Sequence, residues 1–172
     1  MTKSKKKIVA LFVATLSLLM LGAAGFAQKH FMIVGARPEV AMHLSAAVER
    51  DSALVALDKA TVVKPGEVLD WTIVSENSGN AEALQYKAVG HIPQGMTYVA
   101  GSAKADGNAK AVYSIDGGKS FSAQPTIEEK QADGTLKRVP APVAMYTEIR
   151  YEWADPLAQG GKLSASYKVR VK

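Results

Sequence analysis

The chain has no cysteine. This excludes thiol catalysis, cysteine-based zinc sites, iron–sulfur clusters and a disulfide framework, so packing alone has to hold the fold. The short signatures of common enzyme and metal classes are also missing. There is no G-x-x-x-x-G-K-[ST], no G-x-S-x-G, no H-E-x-x-H and no D-x-[DN]-x-[DN]-G loop. No acid precedes Glu39. After residue 27 no segment has a long capped helical pattern, an internal repeat or a low-complexity tract.

What is there begins with charge. The 172 residues include 21 basic and 16 acidic side chains, a formal net charge of +5. Lys3, Lys5, Lys6 and Lys7 account for most of that excess, so the rest of the chain is nearly neutral. A neutral domain offers no electrostatic footprint for a polyanion, which argues against a nucleic-acid partner. The basic cluster KSKKK is followed by the uncharged run IVALFVATLSLLMLGAAGFA, with small residues at Gly25 and Ala27. This is the pattern of a signal peptide over 1–27, a signal helix cleaved at Ala27/Gln28. The alternative is an uncleaved anchor, because about 20 apolar residues are long enough to span a bilayer. Cleavage predicts a chain exported to the periplasm, cell surface or medium, with no stable membrane span left.

Residues 28–39 read as an N-terminal arm. Its apolar stretch, Phe31, Met32, Ile33 and Val34, is bounded by Gly35 and Pro38 and is a candidate interaction arm. Residues 40–172 read as one β-sandwich domain. Val40, Met42, Leu44, Ala46 and Val48 share one parity, the period of a half-buried strand. The alanines leave a helix open as the alternative here. Leu69, Trp71 and Ile73 repeat the pattern between the Pro65-Gly66 and Asn77–Gly79 turns. Leu84, Tyr86, Ala88 and Ile92 follow as inward positions, then the Pro93-Gln94-Gly95 turn. Met145, Ile149, Tyr151 and Trp153, and later Leu163, Ala165, Tyr167, Val169 and Val171, alternate with polar residues. Short strands with turn signals at this spacing imply an antiparallel sandwich or barrel.

The stretch YSIDGGKSF places Asp116, Gly117 and Gly118 between two strand ends. Asp-Gly is a hairpin signal, because glycine takes the positive φ the turn needs. Ser114, Asp116, Gly118, Ser120 and Phe121 also fit the Asp-box pattern, a structural hairpin in sialidase propellers.

With the strands placed, a resemblance becomes visible. The motifs are Pro65-Gly66-Glu67, Asn77 with Gly79, Pro93 with Gly95, and Tyr98-Val99-x-Gly101-Ser102. On these the chain resembles the conserved-repeat domain called domain of unknown function eleven, over about residues 60–172 and in the form of single-domain exported bacterial members. The resemblance implies an immunoglobulin-like antiparallel β-sandwich in a secreted or surface protein. It implies spacer or adhesive roles and no cofactor. This chain holds one copy where the family usually repeats.

The remaining chemistry is sparse. His30, His43 and His91 have no metal-ligand spacing. Glu128-Glu129 lies in a polar connecting stretch, and Glu148 and Glu152 flank Arg150 on a solvent face. Tyr98, Tyr113 and Tyr146 are the candidates for an exposed aromatic platform. The expectation is a non-catalytic structural or interaction module of the cell envelope, self-assembling or binding a protein partner. One route is addition of the arm as a strand to a neighbour. The alternative is a soluble periplasmic or secreted binding module for a glycan or partner protein.

Overall fold

A computed structural model describes residues 35–51, 53–58 and 62–172. The signal segment and Phe31, Met32, Ile33 and Val34 lie outside the described residues. From Ala36 onward the chain forms one compact unit. It is all-β, and every strand pairing in it is antiparallel.

The strands are β1 (Val40–Arg50), β2 (Ala53–Ala56), β3 (Val68–Asn77), β4 (Lys87–His91), β5 (Met96–Tyr98) and β6 (Lys104–Ala105). Then come β7 (Ala109–Ser114), β8 (Thr126–Lys130), β9 (Leu136–Pro140), β10 (Glu148–Trp153) and β11 (Lys162–Val171). One 3-10 turn, Val143–Met145, precedes β10. The larger sheet runs β2-β1-β3-β11-β5, with β6 also on β11. The smaller sheet runs β4-β10-β7, and β8 and β9 form a separate hairpin.

The parity read from the sequence produces this core. Register pairs Val48 with Leu69 and Leu69 with Val169, and it pairs Ile73 with Ala165. Those side chains are buried in one cluster with Ala88, Ile149, Tyr151 and Trp153 of the smaller sheet. Period-two apolar residues on both sheets therefore face each other across a shared core.

Tyrosine hydroxyls fix how the sheets stack. Tyr151 on β10 donates to the Ser166 carbonyl on β11 (2.6 Å), and Tyr86, just before β4, donates to Ser75 Oγ on β3 (2.8 Å). Tyr167 on β11 donates to the His91 carbonyl (2.7 Å), and a Cβ on Gly90 would overlap its ring. Tyr113 on β7 meets Tyr98 on β5. So β4 lies over β3 and β11, β10 over β11 and β7 over β5.

Several sequence expectations need correction. Residues 40–50 are the strand the alternation implied, which removes the helix alternative. Leu84 is 66% exposed because it sits in the turn before β4 rather than in a strand. Met145 is exposed in the 3-10 turn, outside the β10 alternation. Glu128 and Glu129 belong to β8, paired with Arg138 and Lys137, not to a connecting stretch.

Candidate functional site

Most polar groups in the fold are committed to architecture. The Asp116 carboxylate accepts from Ser114 Oγ (2.7 Å), Ser120 N (2.9 Å) and Ser120 Oγ (2.6 Å). These donors hold its pKa well below the usual carboxylate range, led by the Ser120 hydroxyl. Gly117 and Gly118 have φ of +69° and +82°, and Gly118 N donates back to Ser114 Oγ (2.9 Å). The quoted stretch is thus a self-bonded turn leading into the Tyr113–Ser122 bridge. A side chain on Gly118 would also strike the Glu148 carboxylate.

The turn residues read from the sequence do not converge on one site. Gly66 (φ +88°) receives nothing at its open side, and its N–H closes onto the Val171 carbonyl (2.9 Å). Pro65 precedes it in the same turn. Gly95 (φ +83°) follows Pro93 and accepts from Lys172 N (2.9 Å). Asn77 is fully buried at the end of β3. Its Oδ1 accepts from Glu39 N (3.0 Å) and Gly79 N (3.1 Å). Its Nδ2 donates to the carbonyls of Ala81 (2.7 Å), Leu157 (3.1 Å) and Ala158 (3.3 Å). A Cβ on Gly79 would overlap the backbone of Arg37, Pro38 and Glu39, so this knot pins the entry to β1.

Tyr98, Tyr113 and Tyr146 do come together, with ring centroids 4.9–5.9 Å apart. They are not an exposed platform. Tyr98 is 3% exposed because β5 sets it on the inner face opposite Val169. Burial pushes the Tyr113 and Tyr146 hydroxyls above their ordinary pKa.

Polar grooves exist, and part of their charge is paired. One of about 420 Å³ is lined by Lys87, Lys110, Glu152 and Trp153 among others. Glu152 there binds Arg150 Nε (2.8 Å) and faces Lys87 (3.7 Å). His91 lies 3.8 Å from Glu148, exposed, and His43 is exposed on β1. Among the described residues no three His, Asp or Glu side chains gather as a metal set. Among them, too, no helix is long and apolar enough to cross a membrane.

The feature that stands apart is an uncovered end of the larger sheet. Among the described residues the smaller sheet has no strand over β1 or β2. On the core-facing side of β1 Met42 is 52% exposed and Leu44 51%, whereas Val48, farther along the same face beside β2, is fully buried. Trp71, their neighbour on β3, is only half-buried, and its Nε1 has no hydrogen-bond partner. Beside this shelf runs the free edge of β4. Trp153 N donates to the Tyr86 carbonyl and Ile92 N to the Thr147 carbonyl. The alternation of an antiparallel ladder then turns the backbone groups of Lys87 and Val89 away from β10. Apolar alternation predicted that Met42 and Leu44 face the core side. It carried no information about whether a strand lies over them. No known family pattern, curated protein or solved structure matches the chain.

Proposed function

We propose that the chain is an exported, non-catalytic interaction module of the cell envelope that binds polypeptide along its uncovered sheet end. The shelf of Met42 and Leu44 beside the edge of β4 that no described strand pairs carries this reading. Large apolar side chains grouped on a strand face are costly to leave in water, about 25 cal/mol per Å². An unpaired edge beside them offers backbone hydrogen bonds to an added strand.

The sandwich is of the immunoglobulin-like kind in its layer plan. Two antiparallel sheets, a six-stranded one containing β1-β3-β11-β5 and the three-stranded β4-β10-β7, support that reading, since constant-type domains stack four strands on three. The chain fills that plan in its own order, with the last strand, β11, beside β3. The turn motifs at Pro65-Gly66, Asn77–Gly79 and Pro93–Gly95 support kinship with the conserved-repeat domain. Export rests on the basic cluster and apolar run of residues 1–27.

The test is the native mass of the chain purified from fractionated cells, with its N-terminus sequenced. The expected result is a chain starting at Gln28, outside the cytoplasm, in a complex larger than itself. A particle of single-chain mass with no bound polypeptide overturns the interaction reading. A full-length N-terminus overturns signal cleavage.

A further inference from the structure

We infer that the occupant of the uncovered sheet end is the segment Phe31–Val34 of a second copy of this chain. The segment lies along the free edge of β4 and covers Met42 and Leu44. This rests on the interaction reading above and names the partner.

Three observations carry it. First, beside Met42 and Leu44 the vacancy is one strand wide, because β2 pairs only with Ala47–Arg50 and leaves this half of β1 at the sheet edge. The larger sheet is wider than the smaller one on the β1 side alone, because β7 already stands over β5. The open edge of β4 is five residues long. An uninterrupted apolar run of four residues, about 13 Å when extended, matches it. Alternate side chains of that run sit about 7 Å apart, the spacing of Met42 and Leu44 on β1.

Second, the described entry to β1 leads away from that place. Arg37 and Glu39 prolong the line of β1 past its end. Ser78 N donates to the Glu39 carbonyl (2.8 Å), and Asn80 N to the Arg37 carbonyl (3.1 Å). Arg37 N in turn donates to Asn80 Oδ1 (2.8 Å). Arg37 therefore lies five residues beyond Met42, about 16 Å along the strand axis. Tyr86, at the start of β4, meets Ser75, which is the register partner of Met42. The way from Arg37 to β4 thus runs back about 16 Å and across the roughly 10 Å between sheets. Val34 is three residues from Arg37, a reach of at most about 11 Å. A neighbouring copy has no such tether.

Third, the edge is built to accept. Lys87 and Val89 direct outward backbone groups that no described strand pairs, and Ala88 and Gly90 leave little bulk on the inner face. Donor and acceptor are different surfaces of one chain, so the contact is head-to-tail and propagates beyond a dimer.

Two variants of the exported chain test this. Ile33→Asp spoils the donor and leaves the acceptor; Leu44→Arg does the reverse. Leu44 is half exposed, so the fold tolerates the change, and Val89→Pro is a second acceptor variant that removes an outward N–H. The expected result is oligomers for wild type and single chains for each variant alone. An equimolar mixture of Ile33→Asp and Leu44→Arg should give dimers and nothing longer, by light scattering. A mixture that stays monomeric overturns the proposal. Oligomers of Ile33→Asp equal to wild type overturn the occupant but leave the open-face reading standing, whereas a monomeric wild type overturns both.

Discussion

Asn77 shows how one side chain can organise a region. It sits fully buried and bonds five backbone groups from three segments of the chain. Asn77→Ala removes the partner of Glu39 N, Gly79 N and Ala81 O in a part-buried region, each loss costing about 1–3 kcal/mol where water does not replace it. The expected loss is roughly 3 kcal/mol or more, read from denaturant midpoints, with the entry to β1 loosening first in hydrogen exchange. A loss within about 0.5 kcal/mol would mean the freed groups find water. The sequence marked Asn77 as a turn residue but could not show partners at Leu157 and Ala158, which are eighty residues away. Asp116 is the opposite case, because its partners at Ser114 and Ser120 lie within four residues and the spacing alone announces them. Its folded pKa is depressed, so the stability it adds is present above the unfolded value of about 3.9. That stability is lost as the pH falls through the lower folded value. Asp116→Ala should therefore melt below wild type at pH 7, and the gap should close on acidification below about pH 4. A gap that stays constant with pH would assign the effect to shape rather than charge.

At the scale of elements, β4 is the strand most constrained by what it touches. Its inner positions are small, Ala88 and Gly90, because Tyr167 fills the space beneath. The Tyr167 hydroxyl reaches past Gly90 to the His91 carbonyl. Gly90→Ala would overlap that ring, which is itself fully buried and has no free volume to move into. The expected cost is about 1–3 kcal/mol by thermal or chemical unfolding, the usual range for overpacking. A neutral outcome would show that β4 can lift off the larger sheet. The strands themselves were legible because alternation is local. β3, β10 and β11 all bury the parity their sequence advertises. Leu84 and Met145 misled because each continues an apolar parity beyond the strand's end, into a turn. β8 and β9 were hidden by charge, since a hairpin standing off the core needs no apolar face.

At the scale of the whole molecule, what was not legible is the unequal width of the sheets, because neighbour order depends on contacts far apart in sequence. The same contacts suggest how the molecule fails at high pH. Tyrosine hydroxyls from both sheets cross the core: Tyr151 to Ser166, Tyr167 to His91 and Tyr86 to Ser75. A phenolate cannot donate those bonds, and burial disfavours its charge. Burial pushes Tyr167 up to about 12 and raises Tyr113, Tyr146 and Tyr151 as well. A folded pKa above the unfolded value of about 10 contributes stability that is complete below pH 10. It declines as the pH rises through the folded values. Phenolate absorbance should therefore show a late step near pH 12 and above, rising together with the loss of the far-ultraviolet strand signal. If all tyrosines titrated together near pH 10 while the strand signal held, the hydroxyls would already be in water and the sheets would not be stacked as described. Coincident late steps would instead make the tyrosine bridges between β4, β10 and the larger sheet the part of the fold that alkali breaks.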